Sequence, residues 1–267
     1  MTRGVEAALR RHRLIAIAAL AILSLLGWAW LITGAGMGMD LLVSLSPPSP
    51  PAPAMGMGGE MQMSNWSVGH LAMVFSMWWV MMVAMMLPSA APTILLFAIN
   101  PASRLPASKH ATACFLAGYL LAWAGFSLLA AVLQVYLEMA GYLVPGQTAI
   151  EGRWYWAAIL AFAGIYQLTP LKSACLSHCR NPASFLSRHY RPGAGGALRM
   201  GVFHGSFCVG CCWLLMLLLF VFGVMNLAWI ALLTLLVAGE KLLPFGHLLA
   251  KASGAGFLAA AILIAVG

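Results

Sequence analysis

The chain has 267 residues, of which 63% are hydrophobic and 7% are charged, and its formal net charge is +8 at pH 7. Its mean hydropathy is +0.93, whereas about a quarter of the residues in an ordinary soluble domain are charged. This composition excludes a soluble globular protein, and the sequence predicts an integral protein of a lipid bilayer.

Seven apolar segments are candidates for helices that cross the bilayer, which takes about 20 residues each. They are residues 14–33, 67–87, 111–137, 154–171, 200–222, 226–243 and 245–266. The sequence has no segments of alternating polarity such as the strands of a membrane barrel require. The predicted fold is therefore all-α, a polytopic transmembrane bundle of about seven helices.

The basic residues lie almost entirely on one side of this predicted bundle. Of the fourteen Lys and Arg residues, only Arg153 falls in a connection on the opposite side. The positive-inside rule then places the N-terminus in the cytoplasm. Topology thus accounts for the positive charge, and we expect no nucleic-acid partner.

Composition divides the chain into three regions. Residues 1–33 form a basic N-terminus and a first transmembrane helix, which we expect to be retained because no small-residue cleavage site directly follows the apolar run. Residues 34–66 form a Met-, Pro- and Gly-rich periplasmic loop, in which six methionines make three Met-x-Met pairs, and we expect it to be flexible. Residues 67–267 form a six-helix membrane domain.

The second apolar segment carries a methionine at every fourth position, namely Met73, Met77, Met81 and Met85. Such thioethers could form a ladder for a soft metal, with Met77 and Met81 as candidate ligands. The alternative is plain packing, because methionine is a pliable residue at helix contacts. Pro88 and Pro92 predict that this helix kinks or ends near the cytoplasmic face.

The stretch HGSFCVGCCW at 204–213 places one histidine and three cysteines in an apolar helix. At about 100° per residue, His204, Cys208 and Cys211 fall within an arc of roughly 60°, with Cys212 at its edge. A lone cysteine in such a helix is usually a small hydrophobic residue, but an aligned cluster predicts metal ligands. Thiolates and thioethers select Cu(I), while cysteine with histidine also suits zinc. The abundant methionine favours copper over zinc.

Two further features lie near the predicted cytoplasmic face. Cys175 and Cys179 are spaced i, i+4, which places both on one helix face if the fourth helix extends past Pro170. They are candidate ligands of a second thiol site. Glu240 and Lys241 end the sixth helix, where they are either interfacial charges with a snorkelling lysine or supports of the metal site. The 138–153 connection, with Glu138, offers little chemistry.

Four segments resemble those of a bacterial family described as predicted metal-binding integral membrane proteins, a domain of unknown function. They are MWWVMMVAMMLPSAAP (77–92), YQLTPLKSACLSHCRNP (166–182), GVFHGSFCVGCCWLLM (201–216) and EK (240–241). The resemblance covers most of residues 66–250 and implies a multi-pass protein of the bacterial inner membrane. The characteristic positions that it implies are Cys175, Cys179, Cys208, Cys211, Cys212, Glu240 and Lys241.

The leading hypothesis is a membrane protein that binds Cu(I) and either transports it or delivers it to a copper enzyme or membrane enzyme complex. One alternative is a structural subunit or assembly factor whose cysteines serve as small packing residues. The other is a thiol–disulfide oxidoreductase, which the lack of cysteine in the predicted outside loops disfavours. A non-enzymatic role is therefore preferred, and the sequence indicates no particular oligomeric state.

Overall fold

A computed structural model of the chain describes residues 2–33, 67–99, 109–143, 150 and 152–266. Within these ranges the chain is helical apart from short connections and one isolated antiparallel bridge, between Leu143 and Ile150. The all-α prediction is confirmed. The Met-rich loop at 34–66 lies outside the described residues.

The described ranges contain ten helices, α1 to α10 in chain order. They are α1 Thr2–Ile32, α2 Val68–Ile99, α3 Lys109–Met139, α4 Arg153–Leu168, α5 Pro170–Arg180, α6 Pro182–His189, α7 Gly193–Leu217, α8 Leu219–Phe222, α9 Leu227–Leu242 and α10 Gly246–Val266.

Five helical stretches of the described chain are long and apolar enough to cross a membrane. They are Arg13–Ile32, Val68–Ala98, His110–Met139, Gly193–Phe222 and Gly246–Val266. Helices α4 and α5 together would make a sixth span, bent by 64°. Helix α9, which was predicted as a full span, has 16 residues, fewer than the roughly 20 of a straight crossing. Pro244, just beyond its end, prevents its continuation.

The structure decides two points about proline that the sequence leaves open. Helix α2 neither ends at Pro88 nor at Pro92 but continues to Ile99, because the turns beyond them bury Ile94 and Phe97 in the core. Helix α4, in contrast, does not continue past Pro170. The Thr169 side chain accepts a hydrogen bond from the backbone N–H of Lys172 and caps a new helix, so that Cys175 and Cys179 lie on α5.

Glycines allow α3 and α7 to cross at close range. A Cβ added at Gly201 would overlap the carbonyl oxygen of Phe115, and one at Gly118 would overlap that of Leu198. A Cβ at Gly205 would lie 2.6 Å from the Cβ of Ala122. Small residues spaced four apart are typical of tight helix crossings in membranes. This crossing brings the cysteine-bearing face of α7 against α3.

Candidate metal centre

The four candidate residues of α7 all face the interior of the bundle. His204, Cys208, Cys211 and Cys212 are each 1–2% exposed. The helical period that predicted a common stripe is therefore confirmed at the level of burial. The site is built where this stripe meets α2, α3, α5 and α9.

Cys208 lies at the centre of the cluster. Its Sγ is 3.1 Å from the hydroxyl of Tyr119 on α3 and 3.0 Å from Nζ of Lys241 on α9. The Tyr119 hydroxyl also donates to the carbonyl oxygen of Met86 at 3.2 Å. The Lys241 ammonium stabilises a thiolate at Cys208 more than a thiol, because hydrogen bonds to ionised acceptors are the stronger ones. The Tyr119 hydroxyl has one proton, which it can donate either to the Met86 carbonyl or to a Cys208 thiolate.

A thioether joins the thiols from α2. Sδ of Met86 lies 3.9 Å from Sγ of Cys212, and both side chains are buried. The thiols of Cys211 and Cys212 donate to the backbone carbonyl of Cys208 at 3.1 and 3.0 Å. Three sulfur-bearing residues of α7 and one of α2 thus lie together in the buried core.

The two cysteines of α5 lie in different environments. The Cys179 side chain packs against the buried cluster that contains Cys208 and Cys211, and its thiol is close enough to theirs to interact with them electrostatically. Cys175 instead packs against Gly210, where an added Cβ would be 3.2 Å from its Sγ. The structure therefore brings Cys179 into the cluster and leaves Cys175 at its edge.

All six cysteines fall within the described ranges and are free thiols. Among the described residues, no three His, Cys, Asp or Glu side chains are placed to hold one metal ion in common. A metal ion bound by two thiols would therefore take its third ligand either from a methionine sulfur or from a further cysteine whose side chain rotates toward it.

His204 has an unusual environment for an imidazole. Its Nδ1 is buried and makes no hydrogen bond in the described part of the chain, and its ring packs against Phe115, Tyr119 and Phe185 at centroid distances of 5.2–6.1 Å. An unpaired buried nitrogen costs about 1–3 kcal/mol. It lies one helical turn from Cys208, on the same face of α7.

The methionine ladder is only partly relevant to this cluster. Met77 and Met81 are buried in α2, whereas the sulfur 3.9 Å from Cys212 belongs to Met86. Sequence reasoning missed Met86 and Tyr119 as neighbours of the thiols. Met86 is one of several paired methionines in this segment, and nothing local distinguishes it from them.

Glu240 and Lys241 are not interfacial charges, because both side chains are buried, at 1% and 6% exposure. The Glu240 carboxylate accepts from Lys172 Nζ at 2.6 Å and from Gln167 Nε2 at 2.7 Å. Gln167 Nε2 also donates to Ser253 at 2.7 Å. This buried network, which includes a hydrogen bond from Lys172 to Gln167, ties α5 to α4, α9 and α10 beside the thiol cluster.

A second chain of hydrogen-bonded polar side chains joins the N-terminal part of α2 to the C-terminal part of α3. His70 Nε2 is 2.9 Å from the Glu138 carboxylate, which accepts from Gln134 at 2.8 Å, and Gln134 in turn accepts from Trp78 at 2.7 Å. Glu138 is therefore more than part of a simple connection, because it joins two helices. Sequence reasoning missed this pairing, since the two residues are 68 positions apart.

A comparison with known protein families concerns the metal that is expected at this cluster. Residues 75–264 match the PpoB2 family model, which is described as a copper chaperone. No curated protein and no solved structure matches the chain. The match includes the described portions of α2, α3, α5, α7 and α9 that carry the cluster, and it agrees with the copper that the sulfur ligands predict. Because it spans more than half of the sequence, the chain belongs to the PpoB2 copper chaperone family.

Proposed function

We propose that this chain is a multi-pass protein of the bacterial inner membrane that binds one Cu(I) ion and delivers it to a copper enzyme. The proposed ligands are the thiolates of Cys208 and Cys212 and the thioether of Met86. The observation that carries this proposal is the 3.9 Å approach of the Met86 and Cys212 sulfurs in the buried cluster that also contains Cys208.

The separation of these two sulfurs suits a shared metal ion. At a metal–sulfur distance of about 2.3 Å, sulfurs 3.9 Å apart subtend about 116° at the metal, between the tetrahedral and trigonal angles. Cu(I) accepts such soft, low-coordinate sites, whereas hard cations prefer oxygen. Cys208 and Cys212 are one helical turn apart, and the Cys212 thiol already contacts the backbone carbonyl of Cys208 at 3.0 Å, so a small adjustment would bring both sulfurs to one ion.

The neighbouring thiols support delivery by ligand exchange. The Cys211 thiol donates to the backbone carbonyl of Cys208, and Cys179 on α5 packs against the same buried cluster. We propose that copper passes from Cys208 and Cys212 to Cys211 and Cys179, replacing one sulfur at a time. Because α5 belongs to the basic segment 172–199, the receiving protein would dock at that end of the bundle, where Cys175 provides a further thiol and His204 an imidazole.

The first test is metal analysis of anaerobically purified protein from copper-supplemented cells, combined with X-ray absorption at the copper edge. Wild type would contain about one copper per chain with sulfur neighbours. The double variant Cys208→Ser/Cys212→Ser would lose it. Cys114→Ser is the matched control, because Cys114 lies on α3 outside the cluster contacts and changes the same atom.

Delivery needs its own experiment. Copper-loaded protein would be mixed with a high-affinity Cu(I) chelator, and the transfer rate would be measured for wild type and Cys179→Ser. Slower transfer at unchanged copper content is expected for the variant. Copper that remains stoichiometric in the double-cysteine variant would refute the site, and equal transfer rates would refute the exchange step.

A further inference from the structure

We propose that Lys241 makes the site selective for a monovalent metal ion, so that it favours Cu(I) over Zn(II). This inference rests on the proposed function, because it concerns the same thiol site. It gives a role to a buried cation that a purely apolar packing site would not contain.

Lys241 is directed into the thiol cluster. Its Nζ lies 3.0 Å from Cys208 Sγ, 3.4 Å from Ser89 Oγ and 3.9 Å from Met86 Sδ. The ammonium group is thus in contact with two of the three proposed ligand residues. It is not itself a ligand, because a charged amine has no lone pair to offer a metal.

The cation also lacks a carboxylate partner among the described residues. The carboxylate of Glu240 pairs instead with Lys172 at 2.6 Å and accepts from Gln167. The Lys241 ammonium instead lies 3.0 Å from the sulfur of Cys208, in the cluster that also contains Cys211, Cys212 and Cys179. The positive charge of Lys241 therefore has to be balanced by the net charge of the thiolates together with their bound metal ion.

Charge balance then distinguishes the metals. Cu(I) bound by two thiolates has a net charge of −1, which the ammonium of Lys241 neutralises. Zn(II) bound by the same two thiolates is neutral and leaves the ammonium uncompensated, which is costly in a buried, low-dielectric site. A third thiolate would restore neutrality for Zn(II), but it requires a further thiol to rotate into the site, because no three such residues in the described chain are placed to share one ion.

The test compares affinities for Cu(I) and Zn(II), each measured by competition with a chromogenic chelator in detergent. Wild type, Lys241→Met and Ser89→Asp are compared, and Lys251→Met serves as the control because Lys251 is exposed on α10. Lys241→Met is expected to lower the ratio of Cu(I) to Zn(II) affinity by at least about tenfold, which corresponds to about 1.4 kcal/mol. Ser89→Asp retains the lysine but supplies a competing carboxylate, so it should shift the ratio in the same direction.

The affinity ratio separates selectivity from simple damage to the fold. A structural loss would weaken both metals in parallel, and an unchanged ratio in Lys241→Met would overturn the proposal. If that variant does not fold, an unchanged ratio in Ser89→Asp would overturn it instead. Wild type that binds no copper through sulfur would refute the proposed function itself, which is a different and recognisable outcome.

Discussion

Replacement of Lys172 by methionine would remove the cation of a buried ion pair while keeping most of the side-chain volume. Lys172 and Glu240 are each 1% exposed and are joined at 2.6 Å. Without Lys172, the Glu240 carboxylate keeps the hydrogen bond from Gln167 but loses its ion-pair partner. Loss of one partner from a buried pair costs about 3–5 kcal/mol. We expect the lower end of this range, about 3 kcal/mol, because Gln167 still donates to Glu240.

Reversible unfolding in mixed micelles, followed by helical circular dichroism, would measure this loss. The double variant Lys172→Met/Glu240→Leu should recover most of the lost stability, because neither charge then remains buried. Lys251→Met is the control and should change the free energy of unfolding by no more than about 0.5 kcal/mol. A double variant that is as unstable as the sum of both single variants would refute the reasoning, since independent sites are additive.

The same variant has a consequence for the metal centre. The ion pair holds α5, which carries Cys179, against α9, which carries Lys241. We expect the single variant Lys172→Met to slow copper transfer to a chelator even under conditions where it is folded. Transfer at the wild-type rate would show that the position of α5 does not depend on this pair.

Three further predictions concern single side chains. Met86→Leu should weaken Cu(I) affinity by about tenfold or more, which corresponds to about 1.4 kcal/mol, and should remove one sulfur neighbour from the X-ray absorption spectrum. The control Met85→Leu should do neither, and equal spectra for the two variants would exclude Met86 as a ligand. Tyr119→Phe removes the 3.1 Å hydrogen bond to Cys208, a proposed thiolate ligand. Because such bonds contribute about 1.5–3 kcal/mol, Cu(I) affinity measured by chelator competition should fall about ten- to a hundredfold. Unchanged affinity would count against a thiolate at Cys208. Gly201→Ala forces a Cβ into the backbone of α3 and should destabilise the fold by about 1–3 kcal/mol in the same unfolding assay. The control is Gly195→Ala, whose added Cβ meets no atom within 4 Å and which should be neutral or slightly stabilising.

Several properties of this protein could be predicted because they depend on residues close together in the chain. Hydropathy is summed over one segment, so it identified the apolar helices and the all-α class. The helical period acts within one helix, so it correctly placed His204, Cys208, Cys211 and Cys212 on a buried face. The abundance of soft ligands indicated copper, in agreement with the family to which the chain belongs.

Segment-based reasoning was less successful at proline and at helix ends. Pro88 and Pro92 lie within a continuous helix, while the chain breaks at Pro170. The local signals are similar, and the difference lies in what surrounds them. Burial of the turns beyond Pro92 holds α2 together, whereas the Thr169 cap starts a separate helix at Pro170.

The sequence by itself determined the apolar character, the helical class and the thiol stripe of α7, because each follows from composition or from the geometry of a single helix. Only the tertiary structure decided that Met86 is the methionine whose sulfur lies beside Cys212, that Cys179 joins the cluster while Cys175 stays at its edge, and that Lys241 faces the thiols. These pairings join residues up to 155 positions apart. They depend on how glycine-lined helices cross and on which buried charges neutralise each other, and neither property is encoded within one segment.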